Sequence, residues 1–431
     1  MRTYIFSDVL RRVLKYNGYR VQQVRNITDV GHLTNDTLAS GLDKIELAAR
    51  EQQKTPWDIA SYFTELFQRD ARALNIEEPE AEPRATDYIA AMIALVERLI
   101  DGGHAYPVDG NVYFDVSSFP EYGKLSGNTI EDLIGGHRVE VGEGKKAPAD
   151  FALWKSAEPD RLMRWDSPWG DGVPGWHLEC SAMAMDLLGE QIDIHTGGVD
   201  HIFPHHEDEI AQSEGATGKQ FARYWLHGEF LQIGADEKMS KSLGNIFTLD
   251  DLEREGILPL AYRLFTFNAN YRTKLNFTWD ALHASQTTLV RLWEAAAELT
   301  QSGSDEPLDP QAEALRNRFH MAINNDLDLP AAVAVLHEAL GTKLPAGQKL
   351  TLLRDFDRVL GLDLVTVGET LSQTTLEQDA LLLQRAEARS NRDWAKSDEL
   401  RSDLATNGLE VKDTPQGQRW VRRDLLPGQP T

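Results

Sequence analysis

The 431-residue chain has room for several domains, each with its own core. Its 41% hydrophobic and 26% charged residues are ordinary for a globular protein, and the most apolar helical stretch, "YIAAMIALVERLI" (88–100), is cut by Glu97 and Arg98, well short of a membrane span. A formal charge of −24 excludes a general nucleic-acid coat but leaves room for one folded RNA held on local basic surfaces, and the single cysteine excludes an intrachain disulfide.

In chain order, Ile5, Val9, Leu10, Val13 and Leu14 recur at helical spacing, with Gly18 as the stop. "MRTYIFSDVLRR" has no signal-peptide core, so a cytoplasmic location is expected. "YRVQQVRNI" (19–27) reads as a strand. Residues 45–75 and 86–102 read as helices joined by the proline-punctuated "NIEEPEAEPRATD" (75–87), and "GNVYFDV" (110–116) as a short strand. "QIDIHTGGVD" (191–200) reads as a strand entering a glycine turn, and "PHHEDEIAQSEGATG" as the helix after it. From about 286 the pattern is almost wholly helical, interrupted by the linker "QSGSDEPLDP" (301–310) and closed by a hairpin in "LEVKDTPQGQRWVRRD".

Two local patterns carry chemistry. Cys180, the lone cysteine, stands in "GWHLECSAM", 25 and 29 residues before His205 and Glu209. His205 and Glu209 are four apart and share a helix face, so a thiolate, an imidazole and a carboxylate from two elements form a candidate zinc site with an open position. Read without a metal, Cys180 is a small buried hydrophobe, while His206 and Glu207 point to another face and serve as supporting or surface residues. The second pattern is "DEKMSKSLGN" (236–245), a cationic segment suited to charge developing on a departing phosphate.

The string "KMSKS" (238–242) is the full signature of class I aminoacyl-tRNA synthetases. Together with "GWHLECSAM", "GGVDHIFPHHEDEIAQSE", "VRNITDV", "VYFDVSSFPEYGKLSG", "DFALWK" and "WDSPWG" it makes the whole chain resemble cysteinyl-tRNA synthetases. The resemblance implies an α/β fold: a Rossmann-like parallel sheet with an insertion domain, then a helical bundle and a small C-terminal domain. Its expected boundaries are 1–94 and 171–225 for the two parts of the catalytic domain, 95–170 for the insertion and 226–285 for the KMSKS-bearing region. The bundle is expected at 286–375 and the anticodon-recognising domain at 376–431. It implies ATP-dependent activation of L-cysteine, with Mg2+, and transfer to tRNA(Cys) by a monomer. It also implies that Cys180, His205 and Glu209 hold one zinc ion that binds the substrate sulfur, a soft donor that a borderline-soft metal prefers to a serine hydroxyl.

By the same likeness Thr28 and Trp176 line the amino-acid pocket, Gly197, Gly198 and Asp200 meet the adenosine, and Lys238 and Lys241 face the pyrophosphate. Arg385, Arg389, Arg392 and Lys396, at helical spacing, and Arg419, Trp420, Arg422 and Arg423 are candidate tRNA contacts. The family carries an earlier strand with a Cys-Gly element, whose cysteine is a further zinc ligand, and a His-Ile-Gly-His signature. This sequence opens on the helix that follows them. The expectation is a chain of reduced stability and poor activity, from a start codon placed too far downstream or a truncated gene. The competing readings are a ligase joining cysteine to an amino sugar and a non-catalytic tRNA-binding paralogue.

Overall fold

The structure is a computed structural model that describes residues 1–30, 33–35, 40–128, 144–158, 160–233, 237–238, 247–414 and 417–426, with main chain alone at 33–35, 40–43 and 237–238. Two compact units divide the chain: Met1–Arg20, Asp70–Glu77 and Glu229–Thr431 form one, and Val21–Arg69 with Glu78–Gly228 the other. Helix α1 (Arg2–Tyr16) opens the first of these, burying Ile5, Phe6, Val9 and Val13 along one face. It ends where Gly18 takes φ +87°, a conformation that glycine adopts without a Cβ clash.

In the other unit, the segment expected to be a strand at 19–27 forms only isolated parallel bridges, Val24 to Ala81 and Ile27 to Arg84. Its partner is the proline-punctuated connection, and Pro79 and Pro83 bring no N–H to a continuous ladder. A short antiparallel pair, β1 (Leu33–Asn35) and β2 (Ser40–Asp43), precedes α2 (Lys44–Gln52). The expected helix over 45–75 breaks between α2 and α3 (Pro56–Ala73), where Gln53 is left-handed and Thr55 and Asp58 exchange capping bonds.

Helix α4 (Ile89–Asp101) places Ile89, Met92, Leu95, Val96 and Leu99 on one stripe. That stripe packs on an antiparallel sheet of β3 (Ala105–Val108), β4 (Asn111–Phe114), β5 (Phe151–Ser156) and β6 (Gly172–Pro174), in that order. Asp109 and Gly110, both at positive φ, turn β3 into β4, as a two-residue hairpin requires. The same core takes Leu178 and Ala182 of α5 (Trp176–Leu188) and, after β7 (Ile192–Gly198), Ala211 of α6 (Glu207–Thr217). Strand β8 (Ala222–Gly228) then runs parallel to β7, pairing His195 with Trp225 and Gly197 with His227. Packing against one core brings α5 beside α6, 25 residues apart in sequence where Cys180 and His205 stand.

The first unit resumes with β9 (Leu231–Ile233), which pairs antiparallel with β10 (Glu237–Lys238). After α7 (Leu249–Arg254) and α8 (Pro259–Thr266) comes β11 (Leu275–Phe277), parallel to β9. A helical run follows: α9 (Trp279–Thr300), α10 (Pro310–Asn324), α11 (Leu329–Gly341), α12 (Ala346–Leu360) and α13 (Leu364–Ser372). Asp309 and Asp328 cap α10 and α11, each with a proline in the first turn. Helices α14 (Leu376–Ser390) and α15 (Trp394–Thr406) close a small core with the hairpin of β12 (Leu409–Thr414) and β13 (Gly417–Arg422).

Candidate metal and substrate site

Cys180 lies on α5, while His205 sits in an irregular turn one residue before His206 and α6. Donor atoms of Cys180, His205 and Glu209 all lie within 4.8 Å of one another. The i, i+4 geometry expected for His205 and Glu209 puts His205 Nε2 3.2 Å from Glu209 Oε1. Burial opposes the Glu209 charge, but the His195 and His205 rings outweigh it and hold the carboxyl well below its ordinary range. Glu209 stands in the first turn of α6, where the positive end of the helix dipole favours a negative charge.

These residues fit a zinc ion. Sulfur, imidazole and carboxylate are its ordinary donors. Burial, reinforced by the Glu209 and Glu179 charges, pushes the Cys180 thiol well above its ordinary range, a situation that a coordinated dication reverses. His205 Nδ1 and Glu209 Oε2, both buried, have no hydrogen-bond partner of good geometry. Such orphaned atoms on His205 and Glu209, 4% and 0% exposed beside the half-buried Cys180, call for a ligand.

Of the supporting and surface roles open to His206 and Glu207, burial excludes the surface one. His206 is 1% exposed and its Nδ1 lies 2.8 Å from His227 Nε2. The Glu207 carboxylate is buried and accepts the main-chain N–H groups of Leu125 and Ser126. His195, missed in the sequence, reaches Glu209 with Nε2 at 3.3 Å from Oε1, a contact that orients the carboxylate and leaves Oε2 open. His195, His206 and Glu209 also bring donor atoms within 4.8 Å of one another, but the two rings are already engaged with Glu209 and His227.

Trp176, the first residue of α5, sets its ring 4.4 Å from that of His205. His177 beside it is pushed down to about 3 by burial and the His205 ring. Burial likewise raises Asp208 well above its ordinary range. The 3.1 Å approach of His177 Nδ1 to Asp208 Oδ2 therefore joins neutral groups and is no ion pair. The Thr28 hydroxyl donates to Glu179, and the Asn26 amide donates to both (3.3 Å to Glu179, 3.1 Å to Thr28). Burial lifts Glu179 to about 8 against those two hydrogen bonds.

Gly197 and Gly198 end β7, at the carboxyl edge of a parallel pair where α/β sheets receive ligands. A Cβ on Gly197 would stand 2.6 Å from His206 Cε1. Asp200 follows in an exposed turn. The main chain of Lys238 pairs with Gln232, and Lys241 lies outside the described residues.

Among the C-terminal cations, Arg385 is a correction: it is 1% exposed and held by Asp413 and Gln418, so its helical spacing marks the buried face. Arg389 also reaches Asp413 and stacks over Trp394, 5.5 Å from the ring centre. Arg419 donates to the Gln301 carbonyl, Trp420 to that of Ser372, and Arg422 pairs with Asp424. Arg423 pairs with Glu294 and Glu410, and Lys396 with Glu399. Arg392 is exposed at positive φ. Trp394, unremarked in the sequence, is 56% exposed.

The architecture is that of class I aminoacyl-tRNA synthetases. It superposes on a leucyl-tRNA synthetase in a ternary complex from Agrobacterium radiobacter K84 with a TM-score of 0.59 at 12% identity, covering 86% of this chain and 82% of that one. Mycobacterium tuberculosis methionyl-tRNA synthetase bound by methionyl-adenylate gives 0.55 at 17% identity, covering 85% and 86%. The family described as "tRNA synthetases class I (C) catalytic domain" matches residues 1–287, and "Cysteinyl-tRNA ligase anticodon binding domain" matches 372–420. The chain is 46% identical to cysteine–tRNA ligase 1 of Burkholderia lata, over 97% of this chain and 88% of that protein. It is 43% identical to the cysteine–tRNA ligase of Chlorobaculum tepidum, over 98% and 91%. The chain belongs to the cysteine–tRNA ligase family. Among its described residues no helix is long and apolar enough to cross a membrane.

Proposed function

We propose that the chain activates L-cysteine and charges tRNA(Cys). The cysteine carboxylate attacks the α-phosphorus of ATP, giving cysteinyl-adenylate and pyrophosphate. A hydroxyl of the terminal tRNA ribose then attacks the carbonyl carbon, and AMP leaves. The observation that carries this reading is the convergence of one sulfur, one nitrogen and one oxygen donor, from Cys180, His205 and Glu209, within 4.8 Å. A bound zinc would supply a Lewis acid that takes the substrate sulfur and rejects a hydroxyl, a discrimination on the order of 10⁴-fold for a site built around one specific bond.

The protein's own groups do the rest by position and charge. Trp176 covers His205 and forms an apolar wall beside the metal ligands. Thr28, its hydroxyl committed to Glu179, is held in place for the amino-acid pocket. The strand end at Gly197 and Gly198 meets the adenosine, and Asp200 accepts from the ribose. Lys238 and Lys241, with Mg2+, offset the charge on the departing pyrophosphate. On the tRNA side, Trp394 with the Arg389 guanidinium over its ring offers a stacking surface for a base. The cations bound up in the domain's own pairs contribute less.

Cysteine-dependent ATP–pyrophosphate exchange, with serine as the control, tests the reading. Exchange with cysteine alone is expected. Equal exchange with serine, or none from a folded and zinc-loaded chain, would refute it.

A further inference from the structure

Arg2 is 7% exposed at the start of α1, yet all four of its inter-segment bonds run to main-chain carbonyls. Nη1 donates to Glu229 O and Phe230 O, each at 2.9 Å. Nη2 donates to Asn270 O at 3.1 Å and Thr273 O at 2.6 Å. A guanidinium has the planar fork of donors that such a junction needs, whereas an ammonium cannot span it.

The two clamped segments lead directly into paired strands. Residues 229–230 enter β9 and residues 270–273 enter β11, which lie parallel with Leu231 opposite Leu275. Glu229 N donates to Tyr271 O at 2.7 Å and Leu275 N to Phe230 O at 3.2 Å, closing the junction below the strands. One turn along α1, Phe6 stacks on Tyr271 with ring centres 4.5 Å apart and planes 3° from parallel. The other edge of β9 holds β10, where Lys238 pairs with Gln232. Whatever fixes the origin of β9 and β11 therefore fixes the height at which the main chain of Lys238 is held.

We propose that Arg2 is a positioning residue for Lys238, setting the register of the strand that carries the first lysine of the KMSKS segment. The proposal deepens the reading above and rests on its assignment of Lys238 to the pyrophosphate. A small displacement of a charge-stabilising group is costly: about 1 Å can lose on the order of 100-fold in rate.

The test uses Arg2→Met and Arg2→Lys in the full chain. In Arg2→Met the kcat of cysteine-dependent pyrophosphate exchange is expected to fall roughly 10- to 100-fold while the KM for cysteine stays within about twofold. Arg2→Lys is expected to fall between the two. Amide hydrogen exchange should quicken in peptides covering 229–238 and 270–277 and stay unchanged in α12. An unchanged kcat in Arg2→Met would overturn the proposal. So would hydrogen exchange that quickens across the whole chain together with a raised cysteine KM, the mark of a merely structural arginine. If the wild-type chain itself fails to exchange pyrophosphate, the functional reading falls and takes the role of Lys238 with it. Unchanged hydrogen exchange at 229–238 would instead refute the clamp alone.

Discussion

Asp8 offers the sharpest stability test. Its side chain is fully buried and accepts from Arg12 Nε at 2.8 Å, Arg263 Nη2 at 2.6 Å and the main-chain N–H of Glu77 at 2.8 Å. Arg263, 0% exposed, spends its other donors on the carbonyls of Leu360, Leu74 and Asn75, so Asp8 is the anion in direct contact with that buried charge. Asp8→Asn keeps the shape and removes the charge. Stranding a buried guanidinium in this way costs about 3–5 kcal/mol. The pH dependence has a definite sign. Burial opposes the Asp8 charge, but Arg263, Arg12 and the Glu77 N–H outweigh it, so the folded-state value lies below the ordinary 3.8. The stabilisation is complete above the unfolded value and is lost as pH falls through the folded one. The gap between wild type and variant should hold from neutral pH down to about pH 4 and close below it. Urea-dependent hydrogen exchange of peptides from α8 and α12 measures it locally. A gap under about 1 kcal/mol at neutral pH, no better than a surface pair, would refute the reasoning. A gap that widens in acid would do the same.

Three further outcomes are expected. Gly197→Ala places a Cβ 2.6 Å from His206 Cε1, against a ring whose Nδ1 lies 2.8 Å from His227. Overpacking of about 1–3 kcal/mol should appear in urea unfolding, with a raised KM for ATP, and an unperturbed variant would remove Gly197 from the adenosine site. Cys180→Ser should abolish stoichiometric zinc measured by atomic emission, and His195→Gln should weaken zinc about 10- to 100-fold in a chelator competition. Full zinc affinity in both would show that the metal, if bound, lies elsewhere. Trp394→Ala should weaken tRNA binding by about 1–3 kcal/mol in a filter-binding titration and leave pyrophosphate exchange intact; undiminished tRNA binding would exclude the stacking role.

Local patterns were legible in the sequence because backbone geometry sets them over a few residues. The α4 stripe, the Gly18 stop and the four-residue spacing of His205 and Glu209 follow from the helical repeat alone. The KMSKS string and its companions were specific enough to point to the family before any coordinates. The errors share one cause. Arg385, Arg389, Arg392 and Lys396 have the spacing of one helix face, but the helix breaks after Ser390, with Arg392 left-handed in the connection and Lys396 on α15, and Arg385 turns inward to Asp413. A like ambiguity of face keeps both a supporting and a surface role open for His206 and Glu207, and burial of both decides between them. Likewise, nothing in "YRVQQVRNI" reveals that its partner is a segment broken by prolines. The sequence by itself determined the opening helix, the α4 helix, the helical run that begins with α9 and the donor types that Cys180, His205 and Glu209 offer. Only the tertiary structure decided that α5 and α6 meet on one core, that His195 steadies Glu209, and that Arg2 ties two strand origins together. Such contacts join residues tens to hundreds of positions apart, and their formation depends on which apolar surfaces pack rather than on any local repeat.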